Sequence, residues 1–274
     1  MEEQYLSLLG RILDDGDVRE TRNGRVHSIF GASLSCDLAH GFPLLTTKKM
    51  FFRGIVEELA WFLRGSTNVQ ELRDRRVHIW DGNTCDRQYD AGPVYGFQWR
   101  HSGAVYTDCH QDYSGQGVDQ VAAVLDLLTT SPHSRRILLN AWSPGQQSQM
   151  CLPPCHVMYQ FYVRDQKLSC IMTQRSCDVF LGLPFNIAST ALLVHLLAHQ
   201  TGLAVGRLTL QLGDAHIYAE HVDVVQQQRT RTPRTLPTIR LDRPRHDGLW
   251  QVGPQDITVQ DYQPHGRLVA EMKA

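Results

Sequence analysis

Helix-period and strand-period segments are mixed along this sequence without a regular βαβ rhythm, and that mixture predicts an α+β fold. No linker, internal repeat or low-complexity tract interrupts it, so one domain over residues 1–274 is expected, long enough to bury a core without disulfides. Residues 3–14 place Leu6, Leu9, Ile12 and Leu13 on one helical face, and Gly16 stops the run. Residues 28–34 read as a short strand. Residues 51–63 are apolar, with Ile55, Leu59 and Phe62 at helical spacing and Arg53 and Glu58 as interruptions. Residues 78–118 are polar and Gly-rich and read as loops with short elements; 119–128 return to helix. Residues 137–142, 156–163 and 167–173 are strand-like. A long apolar helix over 187–200 ends at Gly202, followed by a strand at 208–212 and a helix at 218–228. The Pro- and Arg-rich end carries short strand-like pieces such as 238–241.

The composition, 42% hydrophobic and 20% charged, is that of an ordinary globular protein. A formal net charge of −1 gives no basic excess for long nucleic acid, although a few clustered arginines suffice for a small anion. The seven cysteines follow no basic or apolar leader, which points to a reducing, cytoplasmic compartment. No run approaches the ~18 consecutive apolar residues of a membrane span. Cys151 and Cys155 lack a second ligand pair at zinc-site spacing, so no metal is expected.

The most informative segment is Leu152-Pro153-Pro154-Cys155-His156. Two prolines deny helix here and set Cys155 at the rigid start of a strand. It would be a nucleophile if nearby cations lower its pKa, and otherwise a small buried hydrophobe. Downstream, Arg175 and Ser176 offer a planar fork beside a hydroxyl, suited to phosphate. Asp178 accepts from an N–H edge, and Asn186 both donates and accepts, as a pyrimidine amide edge requires. Alone, this stretch also reads as a surface turn before a helix. Arg135 and Arg136 would point to opposite faces of an extended chain, so one phosphate is a poor match for both, and a solvated pair is the plainer reading. Residues 213–218 read as the end of a strand opening a helix; if extended, His216 and Tyr218 would share one face and meet one sugar hydroxyl. Glu58 lies near an apolar helix face, where a carboxyl's pKa rises, while Glu57 is expected at solvent.

Together these pieces resemble the folate-dependent thymidylate synthases along nearly the whole chain. The match runs through Phe42-Pro43-Leu44-Leu45-Thr46-Thr47-Lys48-Lys49, Gly65-Ser66-Thr67-Asn68 and Ile79-Trp80-Asp81. It continues through Gly92-Pro93-Val94-Tyr95-Gly96, Ser134-Arg135-Arg136, the Cys155 segment, residues 174–189 and residues 213–218. The resemblance implies a mixed sheet flanked by helices and a sheet-to-sheet homodimer. It also implies conversion of dUMP to dTMP with 5,10-methylenetetrahydrofolate as carbon and hydride donor. Cys155 would add to C6 of the uracil ring, Glu58 would assist proton movements at O4, and Tyr95 would help remove the C5 proton. His156 would support the nucleophile. Arg175 and Ser176 would hold the phosphate, Arg135 and Arg136 would reach the phosphate in the partner subunit, His216 and Tyr218 would hold the 3′ hydroxyl, and Asn186 would read the base. Trp80, Asp178 and Gly182 are expected at the folate with the terminal Ala274, and Lys48 near its glutamate tail.

The departures fall at the phosphate loop, the sheet and the tail. Where the family reads Asp-Arg-Thr-Gly-Thr-Gly-Thr, this chain has Glu20-Thr21-Arg22-Asn23-Gly24-Arg25-Val26, which makes Arg22 the phosphate arginine, with Arg25 as rival. Thr173 and Thr190 stand where tyrosines are common, Ala91 replaces a leucine, and Lys273 makes the tail more polar. A looser tail would let water trap the reactive carbon, so a pyrimidine nucleotide hydroxymethylase is the alternative. Cytosine-specific forms carry Asp at the position of Asn186, which favours uracil here. A non-catalytic binder of nucleotide or RNA is the rival of another class, and intact Cys155, Glu58 and Asn186 argue against it.

Overall fold

In a computed structural model that describes residues 1–273, helix α1 (Glu2–Asp15) opens the chain and buries Tyr5, Leu8, Leu9 and Ile12 on one face. Strands β1 (Asp17–Thr21) and β2 (Gly24–Asp37) form a hairpin across Arg22 and Asn23. Helix α2 (Phe52–Leu63) is buried along most of its length. Short helices α3 (Gln70–Asp74), α4 (Asp81–Thr84) and α5 (Tyr95–His101) lead to α6 (Gln120–Thr130), where the Asp119 side chain caps the first turn by accepting from Ala122 N at 2.9 Å. Strands β3 (Leu138–Asn140), β4 (His156–Arg164) and β5 (Lys167–Asp178) follow. Helix α7 (Gly182–Thr201), strand β6 (Ala204–Tyr218), helix α8 (Val222–Arg229) and the paired strands β7 (Thr238–Leu241) and β8 (Ile257–Gln260) complete the chain.

The main sheet has the order β1-β2-β6-β5-β4-β3. All its pairs are antiparallel except β5 with β6. A parallel pair needs a crossover, and α7 supplies it, packing on β5, β6 and α2. By length and composition α7 would pass as a membrane span, but 72% of its apolar window is buried inside the protein. It ends at Gly202, whose φ of 76° is the left-handed C-terminal conformation. The result is the expected α+β architecture, a mixed sheet flanked by helices. The sheet's other face is left open: Leu138, Gln160, Ile171 and Thr209 form one cross-strand row, with Leu138 and Ile171 each 38% exposed and Tyr162 62% exposed nearby.

Three local expectations are corrected. Strand β6 runs through Gly213 to Tyr218, where a helix start was expected, because Asp214 and His216 pair with β2 on one side and with Ser176 and Asp178 on the other. Likewise β5 extends through Arg175–Asp178, which is no surface turn. Two ladders of backbone bonds outweigh the local preference of Gly-Asp for a turn. Glu57, expected at solvent, is 7% exposed and 3.4 Å from Arg75, since the helix packs on both sides at that turn. The close approach of β5 to β6 depends on Gly213, where a Cβ would lie 2.8 Å from Arg175 O. Gly213→Ala is therefore expected to cost about 1–3 kcal/mol, the usual penalty of overpacking. Urea unfolding should show a lower midpoint at unchanged slope, and an unchanged midpoint would contradict the close packing.

Candidate active site

A cleft of about 810 Å³ lies among α2, the start of β4, the C-terminal ends of β5 and β6 and the start of α7. Cys155 lines it, one residue before β4. The diproline before the thiol is clamped from across the sheet: Arg175 Nε donates to Pro154 O at 2.9 Å and Nη2 to Pro153 O at 2.7 Å, while Arg175 N donates to Cys155 O at 2.9 Å. Cys155 N–H donates to the Tyr95 hydroxyl at 2.7 Å. Burial pushes the thiol's pKa up, and the Arg175 charge and the Tyr95 hydroxyl pull the other way without reversing the direction. The cation thus favours thiolate, as expected, but burial outweighs it.

On the facing helix, Trp80 Nε1 donates to Glu58 Oε1 at 2.8 Å. Burial raises this carboxyl to about 7, so it can gain or lose a proton near neutrality. Phe62, Trp80 and Tyr95 surround it as an aromatic wall, with Phe62 and Tyr95 centroids 4.8 Å apart and Trp80 and Tyr95 6.1 Å apart. The His156 ring packs tilted beside Tyr95, centroids 5.2 Å apart, and burial lowers it to about 4, hence neutral.

At the end of β5, Gln174 Nε2 donates both to Ser176 O at 2.9 Å and to Asn186 Oδ1 at 3.1 Å. Asp178 Oδ1 accepts from Phe180 N and Leu181 N at 2.9 and 3.1 Å, fixing the turn into α7. On β6, His216 and Tyr218 do share a face, their rings 5.4 Å apart. His216 Nδ1 sits 3.0 Å from Asp214 Oδ1, and Arg19 Nη1 donates to Asp214 Oδ2 at 2.8 Å.

The cleft thus gathers Glu58, Trp80, Tyr95, Cys155, His156, Arg175, Ser176, Asp178, Gly182, Asn186, His216 and Tyr218. Arg22, at the hairpin tip, also lines it, whereas Arg25 is ion-paired with Glu20 at 2.6 Å. Arg135 and Arg136 are exposed outside it. Lys48 is buried elsewhere: its Nζ donates to Phe180 O and lies 3.9 Å from the Phe180 ring, and burial lowers it to about 7. Ala274 lies outside the described residues. Gln174 and Asp214 went unrecognised in the sequence. Asp214 was within reach, because residues two apart on a strand share a face with His216. Gln174 was not, since its role depends on Asn186 twelve positions later.

The family model for thymidylate synthase matches residues 3–274. The chain is 47% identical to a bifunctional dihydrofolate reductase-thymidylate synthase of Paramecium tetraurelia, over 99% of this chain and 61% of that protein. It is likewise 47% identical to a thymidylate synthase of human herpesvirus 8, over 99% of this chain and 84% of that one. Against the human thymidylate synthase it is 45% identical, over 99% and 90% respectively. It therefore spans less than two thirds of the bifunctional Paramecium relative.

The Glu58 carboxyl carries a stability signature. Its folded pKa of about 7 lies above the unfolded value, so the stability it lends is complete below about pH 4.5 and is lost as pH rises toward 7. Glu58→Gln removes that titration. The variant is expected to gain stability relative to the parent between pH 5 and pH 8, read from urea midpoints at both. A difference constant with pH would mean that the carboxyl is not raised.

Proposed function

Because the chain belongs to the thymidylate synthase family, we propose that it converts dUMP to dTMP, with Cys155 as nucleophile and 5,10-methylenetetrahydrofolate as co-substrate. The observation that carries this reading is the convergence, in one cleft, of a clamped cysteine, a carboxyl held near neutrality and a base-reading amide. Cys155 Sγ adds to C6 of the uracil ring, and the electron density moved toward C5 and O4 makes C5 nucleophilic. Glu58 holds or releases the proton balancing charge at O4, at the cost its near-neutral pKa keeps low. Tyr95, whose hydroxyl accepts from the Cys155 amide in the same wall, helps remove the C5 proton in the later step; burial keeps its own phenol protonated, so it orients a water that receives that proton. Asn186 reads the base edge, His216 and Tyr218 hold the 3′ hydroxyl, and Arg22, Arg175 and Ser176 hold the phosphate.

The folate supplies the one-carbon unit and the hydride when bound. The residues present fit such a group: Phe51, Ile79, Trp80, Leu181 and Phe185 give an apolar wall for flat rings, with the Asp178 carboxylate and Gly182 beside it. Lys48 reaches the glutamate tail only by leaving the Phe180 ring. The open sheet face and the exposed Arg135 and Arg136 support a homodimer in which each subunit lends these arginines to its partner's phosphate site. The seven unpaired cysteines suit a reducing cytoplasm.

Purified protein given dUMP and methylenetetrahydrofolate is expected to release dihydrofolate and a product one methyl heavier, while Cys155→Ser loses at least ~10³-fold in kcat. A hydroxymethyl product with no dihydrofolate would replace methylation by hydration, and a near-normal Cys155→Ser would remove the nucleophile assignment. The shared site has its own test. Cys155→Ser and Arg135→Glu/Arg136→Glu subunits should each be inactive alone, yet random hybrids should recover about a quarter of the parent activity through one complete site per mixed dimer. No recovery in hybrids confirmed by mass would rule out arginines acting across the interface.

A further inference from the structure

Helix α3 ends among three arginines, and their partners set them apart. Arg73 Nη1 donates to Asp81 Oδ2 at 2.5 Å, and its guanidinium lies 4.2 Å from the Tyr89 ring centroid. Arg75 stands 3.4 Å from Glu57 and donates to Glu71 O at 2.8 Å. Arg76 has no such tie. Among the described residues its side chain makes no hydrogen bond or ion pair; it is exposed and lines the cleft with Ile79 and Trp80.

Its backbone is unusual as well. Arg76 follows the helix cap with a φ of 57°, the left-handed position that glycine or asparagine normally fills. A larger side chain is disfavoured there. The conformation is held from outside the turn: Arg53 Nη1 donates to Arg75 O at 2.5 Å and Nη2 to Arg76 O at 3.3 Å, while Val77 N donates to Leu72 O at 2.9 Å. Arg53 also lies 5.3 Å from the ring centroid of Phe51, another cleft residue, so one side chain ties the apolar wall to the turn. Strain kept in place by surrounding contacts, on a residue whose charge is unpaired, points to a ligand.

The other cations of the cleft are engaged or stand elsewhere. Arg175 is committed to the Pro153 and Pro154 carbonyls, Lys273 pairs with Glu220, and Arg22 stands at the hairpin tip. His78 faces Asp81 at 3.1 Å. Lys48, the residue expected at the glutamate tail, lies against the Phe180 ring and outside the cleft lining. On the side where Phe51, Ile79 and Trp80 suit flat rings, Arg76 is the cation without a partner among the described residues.

We propose that Arg76 receives a carboxylate of the folate's glutamate tail, the role expected of Lys48. This rests on the reading that a reduced folate is the co-substrate, and deepens it.

Strain and charge give opposite readouts in one variant. Arg76→Asn suits the left-handed turn and removes the charge. Its urea midpoint should equal or exceed the parent's. Its dissociation constant for dihydrofolate, measured with dUMP present, should rise about 2- to 5-fold, the worth of an exposed ion pair. A dihydrofolate analogue whose two tail carboxylates are amides should bind parent and variant alike. If Arg76→Asn binds dihydrofolate as tightly as the parent, or weakens both ligands equally, the assignment is overturned while the folate reading stands. A lowered urea midpoint would likewise overturn it, by showing that the arginine serves the fold. Parent protein that binds neither ligand with dUMP present would remove the folate reading itself, and the proposal with it.

Discussion

The parallel pairing of β5 with β6 is the constraint on which the rest depends. Antiparallel neighbours can be joined by a tight turn, but a parallel pair demands a crossover of a dozen residues or more. Here that crossover is α7, buried because it lies across the sheet. Two strands running the same way end at the same edge, so residues 174–178 and 214–218 arrive together, in the register Ser176 to Asp214 and Asp178 to His216. The crossover begins there too, which brings Gly182 and Asn186 to the same place. Strand β4, antiparallel to β5, begins at that edge with His156 opposite Gln174, and Cys155 stands just before it. The groups proposed for base, sugar and phosphate, and the cysteine proposed as nucleophile, are gathered by topology before any side-chain contact is made.

That gathering has an electrostatic consequence. The edge is covered by α2 and its aromatic neighbours, so ionisable groups there are desolvated and shift toward their neutral forms. Glu58 rises to about 7, His156 falls to about 4 and the Cys155 thiol moves up. Against that trend stands the charge of Arg175 beside the thiol. Two of its donors are committed to the Pro153 and Pro154 carbonyls, so its charge is fixed in position relative to the thiol. Neutral, hydrogen-bonded groups around the thiol, beside a cation whose position is fixed, are pre-organised for an anion that forms during reaction, since little has to reorient when the charge develops.

What the sequence made legible was set by the range of the interactions. The helices along α1, α2, α6 and α7 were readable because their apolar periodicity is a local property that tertiary packing reinforces. The rigid placement of Cys155 was readable for the same reason, through its two prolines. Strand ends were not: residues 213–218 read as the opening of a helix on their own and become strand only with β2 and β5 on either side. The hairpin that puts Arg22 at its tip and pairs Arg25 with Glu20 was hidden likewise, because β1 is exposed throughout and carries no apolar alternation. Glu58 was visible as an anomaly in an apolar helix, but Glu57, read as facing solvent, is buried against Arg75, which its own segment does not show. The inward turn of both His156 and Tyr159, three residues apart on β4, required a bulge that breaks the alternation on which strand reading relies.

The polar tail is the remaining departure, and the contacts around it bear on whether polarity loosens it. Lys273 pairs with Glu220 and lies 3.5 Å from Glu271, but these carboxylates are largely exposed, and such pairs are worth ~0–1 kcal/mol. The firmer attachments are made by the backbone. His221 Nε2 donates to Glu271 O at 2.8 Å, His265 N donates to Thr46 O at 2.7 Å, and Arg231 Nη1 bridges Thr47 O and Gly266 O, each at 2.7 Å. The Thr46–Thr47 turn that receives His265 and Arg231 is itself held by the buried Glu2 carboxylate, which accepts from Thr46 N at 2.8 Å and Thr47 N at 2.6 Å. A tail held through its backbone N–H and carbonyl groups is indifferent to which side chains it carries there, so long as each partner stays in place. Lysine at position 273 therefore changes what the tail presents to the cleft without removing what ties it down.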